Sequence, residues 1–127
     1  MNSFFFPINI HNTHWVFVHI DMIGRTISYY DSMDGQYDAV KYCLLFRKWL
    51  CDESEKRRAP LNLVALGWRD VCAGCLKQTN SYDCGVYVIK GIELLSKGLA
   101  LDHSEQDITN FRVTITEAIL SDKLDSC

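Results

Sequence analysis

A chain of 127 residues, 48% apolar and 23% charged, has room for one core and one domain, and lies far from disordered or fibrous compositions. Its formal net charge is −3, and its one basic cluster, Lys56-Arg57-Arg58 after Glu55, is too short and mixed for a nucleic-acid surface, so a solvated loop is expected there. Phe4-Phe5-Phe6 meets Pro7 at once and has neither the length nor the basic flank of a signal peptide or membrane span, so a soluble intracellular protein is expected, with no membrane partner.

In chain order, residues 4–10 read as a short apolar strand broken by Pro7. Residues 14–20 read as a second strand, with Trp15, Phe17 and His19 on one face and Val16, Val18 and Ile20 on the other. Two largely apolar faces place that strand inside a covered sheet. Asp21 to Arg25 supplies a glycine-containing turn, and the β-branched and aromatic run Thr26 to Tyr30 completes a hairpin. Asp31 then falls at a strand exit, where side chains can reach into a cleft. Ser32 and Asp34 are candidate caps for an amphipathic helix whose Tyr37, Val40, Lys41, Leu44, Leu45 and Trp49 recur at three- and four-residue spacing.

The charged stretch Asp52 to Pro60 reads as an exposed connector, and Leu61 to Trp68 is apolar but too short to divide between helix and strand. Asp83 is a candidate cap for a helix from Cys84 to about Ser96, stopped by Lys97-Gly98. Ser104 opens a last helix with Ile108, Phe111, Ile115 and Ile119 as its buried stripe. Strands with helices packed beside them make an α+β fold.

The chemistry concentrates in two places. Gln78 stands six positions before Cys84, which precedes Gly85 and the apolar run Val86-Tyr87-Val88-Ile89. A cysteine at a helix start meets unpaired backbone N–H groups and the positive end of the helix dipole, which favour the thiolate, the nucleophilic form. A cysteine nucleophile also needs a base and an orienter, and His14 and Asp31 lie far upstream, able to meet it only through folding. Each has a plainer reading: an inert packed thiol, a satisfied strand histidine, a turn aspartate, a surface amide at Gln78 and a core tryptophan at Trp15. The six cysteines lack a secretory context, so reduced thiols are expected. Cys72-Ala-Gly-Cys75 has half the spacing of a zinc site with no second pair to complete it; a zinc domain drawing on Cys72, Cys75, Cys84 and His103 is the third-ranked reading.

The blocks Pro7-Ile-Asn-Ile, His14-Trp15, Tyr29-Tyr30-Asp31-Ser32-Met33 with Gly35, and Gln78 through Asp83-Cys84-Gly85 together resemble the ubiquitin-like-protein processing cysteine proteases, the SUMO or sentrin protease family. The order of the blocks and the offsets from His14 to Asp31 and from Gln78 to Cys84 carry the resemblance. It implies a papain-like (adenain-like) cysteine protease fold, α+β, with a sheet flanked by helices. Residues 1–127 would be a single catalytic domain lacking the N-terminal part that in the family brings further helices, another tunnel tryptophan and much of the modifier-binding surface.

The resemblance further implies Cys84 as nucleophile, His14 as base, Asp31 as its orienter, and Gln78 with the Cys84 N–H as oxyanion donors. Trp15 would narrow the tunnel around a Gly-Gly tail. No metal or organic cofactor is implied. The partners would be SUMO or another ubiquitin-like protein and its conjugates, the chain a monomer, and its location nuclear or cytoplasmic. Cleavage after Gly-Gly is the leading function; a catalytically inactive, truncated relative that still binds a ubiquitin-like protein is the alternative.

Overall fold

A computed structural model describes residues 2–33, 38–73, 77–78, 80 and 82–121. Three strands, β1 (Ser3–Ile10), β2 (His14–Asp21) and β3 (Thr26–Tyr30), precede helix α1 (Ala39–Lys56), a fourth strand β4 (Arg69–Ala73), and helices α2 (Cys84–Ser96) and α3 (Glu105–Leu120). The sheet order is β1-β2-β3-β4. β1, β2 and β3 run antiparallel as successive hairpins, and β4 joins β3 in parallel. Short turns suffice for the first two connections; the parallel one needs a crossover, which α1 supplies.

Alternation along β2 divides the molecule into layers. Val16, Val18 and Ile20, all fully buried, face α1 together with Ile27 and Tyr29 of β3 and close a core with Ala39, Cys43, Leu50, Leu63 and Trp68. Phe17, 2% exposed, points the other way, towards α2, where Gly91 leaves the space its ring occupies. α2 in turn packs on α3 through Val86, Tyr87 and Ile108, with Phe111 alongside. The sheet is thus covered on both faces, as two apolar faces on one strand require.

Pro7 does not break β1. It pairs opposite Phe17 on a strand with one hydrogen-bonded neighbour, a position where a missing N–H costs no ladder bond. α1 runs through Lys56, past the point where an exposed connector was expected. Its buried face is Ala39, Cys43, Leu50 and Ser54; of the expected stripe, Trp49 packs against the core while Val40, Leu44 and Leu45 are exposed. Asp38 occupies its N-cap position, and the expected cap at Asp34 and the stripe residue Tyr37 lie outside the described residues. Leu61 to Trp68 is turn, anchored by buried Leu63 and Trp68. β4 has no counterpart in the sequence reading.

α2 has the expected bounds, and α3 begins where expected, after Ser104. Gly98, at φ 71°, takes the left-handed conformation that ends α2. Ser104 caps α3 in a reciprocal box: its hydroxyl accepts from the Asp107 N–H and its own N–H donates to the Asp107 carboxylate. Along α3 only Ile108 is fully buried, and Ile119 is exposed, so the packed stripe is shorter than its periodicity suggests. Among the described residues no helix is long and apolar enough to cross a membrane.

Candidate active site

Three elements converge on one place. β2 begins with His14, β3 ends just before Asp31, and α2 begins with Cys84. The antiparallel pairing of β2 and β3 places Phe17 opposite Tyr30, so the start of one strand lies beside the end of the other, and residues 17 apart in sequence meet. His14 Nε2 is 2.7 Å from Asp31 Oδ1. The Asp31 side chain is nearly sealed from solvent and that of His14 is 16% exposed.

Asp31 is held on every side. Its Oδ1 also accepts from the Met33 N–H at 2.8 Å, and its Oδ2 receives the Tyr29 hydroxyl at 3.5 Å. Tyr29 and Asp31 are two apart at a strand end, so they share a face. Burial first, and the nearby Asp31 charge second, push the Tyr29 hydroxyl well above its ordinary value, so it serves as a permanent donor. A carboxylate oxygen accepts only, which fixes the hydrogen of the imidazole on Nε2 and leaves the lone pair on Nδ1. Nδ1 is buried and has no hydrogen-bond partner among the described residues.

Cys84 opens α2, where the first N–H groups have no intrahelical acceptor. It is 6% exposed, and its Sγ lies 3.4 Å from the backbone N of Trp15, the residue next to His14. The sulfur therefore sits against the strand that carries the imidazole. Asp83 occupies the N-cap position, as its place in the sequence suggests, but its side chain makes no cap bond. Instead its Oδ2 accepts from Asn80 Nδ2 at 2.8 Å and its Oδ1 from Arg112 Nη2 at 2.8 Å, so α3 braces the turn that presents the cysteine. Asn80 Oδ1 accepts from the N–H groups of Tyr82 and Asp83 at 3.1 and 2.9 Å and ties the same turn from inside.

Gln78 is brought to the same region by the segment that follows β4. Its N–H donates to the Ser32 carbonyl at 2.8 Å, its Nε2 to the Asn80 carbonyl at 2.6 Å, and its Oε1 accepts from the Ser32 hydroxyl. Trp15, 40% exposed, is not a core tryptophan; its ring edge comes within 3.6 Å of where a side chain on Gly85 would begin.

Of the five residues singled out in the sequence, His14 meets Asp31 directly, Cys84 Sγ meets the Trp15 amide, and Gln78 bonds Ser32, next to Asp31; among the described residues no hydrogen bond joins Cys84 Sγ to the His14 ring. Tyr29, Ser32 and Lys77 were missed as site residues. Ser32 was read as a helix cap, whereas its hydroxyl reaches Gln78; Tyr29 was legible in principle, since strand alternation puts it on the face of Asp31. Among the described residues no group of three or more His, Cys, Asp or Glu side chains could hold a metal ion. Of the zinc candidates, Cys72, on β4, and Cys84, at the head of α2, are free thiols on different elements. His103 packs on Tyr87, and Cys75 lies outside the described residues.

Comparison with known proteins gives a consistent picture. The family model described as Ulp1 protease family, C-terminal catalytic domain, matches residues 2–124. Ubiquitin-like-specific protease 1 of Saccharomyces cerevisiae is 29% identical over 126 residues, covering 98% of this chain and 19% of that protein. The putative ubiquitin-like-specific protease 1B of Arabidopsis thaliana is 32% identical over 119 residues, covering 91% and 33%. Among solved structures, the C-terminal Ulp1 protease domain in complex with Smt3, the yeast orthologue of SUMO, superposes with a TM-score of 0.79 at 28% identity, covering 96% of this chain and 53% of that one. The SUMO protease Ulp1 with its catalytic cysteine oxidised to a sulfonic acid gives 0.80 at 28% identity, covering 96% and 54%. The chain therefore spans about half the length of the solved domains and a third or less of these two relatives.

Proposed function

The chain belongs to the Ulp1 protease family, and from that membership we propose that it is a thiol peptidase cleaving after the C-terminal Gly-Gly of SUMO or a related ubiquitin-like modifier. The observation that carries the proposal is the 2.7 Å His14–Asp31 contact on strands that also hold the Cys84 sulfur, 3.4 Å from the Trp15 amide. The substrates are the modifier's precursor, its isopeptide conjugates, or both, and the place of action is intracellular.

The proposed sequence is acyl transfer. His14 Nδ1 takes the Cys84 thiol proton, and Sγ bonds to the carbonyl carbon of the terminal glycine. Charge moves to the carbonyl oxygen, which accepts from the Cys84 N–H and from the second hydrogen of Gln78 Nε2, the first being committed to Asn80. The C–N bond breaks as His14 returns its proton to the leaving amine. Water, deprotonated by His14, then opens the thioester, releasing the carboxylate and restoring the thiol. Asp31 holds the imidazole in the tautomer that makes Nδ1 the base. The helix N-terminus stabilises negative sulfur through its free N–H groups. Trp15, exposed beside Gly85, would roof the substrate tail and admit glycine alone.

SUMO carrying an electrophile in place of its terminal carboxylate tests this on the 127-residue chain. A covalent adduct on wild type that Cys84→Ala abolishes is the expected result. A folded wild type that stays unlabelled contradicts it, and SUMO binding without labelling would make the chain a docking module instead.

A further inference from the structure

The segment carrying the acid and the segment carrying the oxyanion amide are bonded to each other residue by residue. Lys77 Nζ donates to the Asp31 carbonyl at 2.8 Å and reaches the Met33 carbonyl at 3.4 Å. The Gln78 N–H donates to the Ser32 carbonyl between them at 2.8 Å. Three consecutive carbonyls, those of residues 31, 32 and 33, are thus taken by residues 77 and 78. Ser32 is 3% exposed, and its hydroxyl bonds the Gln78 carboxamide oxygen.

A carboxamide has two chemically opposite ends, and only one of them helps an oxyanion. Rotated by half a turn, Gln78 would present a carbonyl to a developing negative charge. The Asn80 carbonyl can only accept, so it selects the NH2 end of Gln78; the oxygen end is then left to a donor, and the Ser32 hydroxyl is that donor. We propose that Ser32 is a positioning residue that locks the Gln78 carboxamide with its free N–H towards the oxyanion position, coupling the acid-bearing loop to the oxyanion donor. The inference rests on the peptidase reading for its kinetic consequence, but not for the lock itself.

Two measurements on the whole chain separate the inference from that reading. With SUMO bearing a fluorogenic amide at its terminal glycine, Ser32→Ala should lower kcat roughly tenfold with KM unchanged, less than the about hundred- to thousandfold of losing the donor outright. In a Gln78→Ala background, the same substitution should change kcat by less than about twofold, because the group it orients is gone. An equal loss in both backgrounds, or no loss in wild type, overturns the inference. Independently of turnover, NMR of the 15N-labelled chain should show the Gln78 side-chain amide protons exchanging with water roughly fivefold or more faster in Ser32→Ala. Unchanged exchange overturns the lock even in a chain that proves inactive, whereas faster exchange in an inactive chain keeps the lock and removes only the peptidase reading.

Discussion

His14 has two ring nitrogens, and the division of labour between them follows from one neighbour. Asp31 accepts at Nε2, and Nδ1 lies buried with no partner among the described residues; on the proposed reading Nδ1 is the base. The histidine, the acid, the cysteine, the amide and the tryptophan were legible because each is of a residue type that its proposed role demands, at offsets that resemble the family's. The sequence hides Ser32, Tyr29 and Lys77 because serine, tyrosine and lysine have commoner occupations, and only the fold reveals which groups they bond. Gly91 is another position whose meaning is spatial. A Cβ there would stand 2.7 Å from Cε1 of Phe17. Gly91→Ala gains about 1 kcal/mol of helix propensity but forces a buried ring to move, at about 1–3 kcal/mol. The ring is 2% exposed and has little room to retreat, so a net loss is expected as a lower urea midpoint; a higher midpoint would show that the α2–β2 packing is looser than described.

At the scale of elements, strands and helix bounds were legible where punctuation is local. The Asp21 to Arg25 turn, Gly98 and the Ser104 box are all short-range signals. Replacing Ser104 by Ala removes an acceptor from the first turn of α3 and should cost about 1 kcal/mol, measurable as a lower thermal midpoint; an unchanged midpoint would mean that α3 adds little to the cooperative unit. Two elements were misread for the same physical reason, that tertiary contacts choose the face. α1 offers Val40, Leu44 and Leu45 as one apolar row and Ala39, Cys43 and Leu50 as another; the sheet takes the second because its smaller residues let the helix approach, while long side chains from Tyr42, Phe46 and Trp49 fill the flanks. β4 mixes Arg69 and Asp70 with Val71 and Cys72, and it is a strand because β3 offers a free edge.

His103 ties α2 to α3 and makes that contact sensitive to pH. It is 5% exposed, packs at a tilt against Tyr87, and neither ring nitrogen has a partner among the described residues. Burial, with Lys90 adding to it and Asp107 and Asp102 opposing, holds its pKa below the ordinary 6.5. The unfolded chain therefore takes up the proton first as pH falls. No penalty exists above about 6.5; it grows below that value and levels off beneath the folded pKa. Urea midpoints at pH 7.5 and pH 5 should fall further for wild type than for His103→Asn, and parallel falls would remove His103 as the cause.

At the scale of the molecule, the sheet acts as a frame that turns distant sequence into adjacent chemistry. α1 seals one face and α2, backed by α3, seals the other, so the start of β2 and the end of β3 meet the head of α2 at one rim. The α+β class and the order of blocks along the chain carried that arrangement in the sequence, because hairpins and a helix-opening cysteine are local signals. The parallel crossover through α1 was not legible, since pairing residues 43 apart leaves no periodic mark. On the proposed peptidase reading, imidazole, carboxylate and sulfur act as one unit at that rim, and units of this kind lose activity non-additively. The direct test is kcat towards SUMO with a fluorogenic C-terminal amide for His14→Ala, Asp31→Asn and the double variant. The double variant should be no slower than His14→Ala alone, because Asp31 acts only through the ring. A double loss equal to the product of the single losses would show the two residues working independently, and the shared site described here would be wrong.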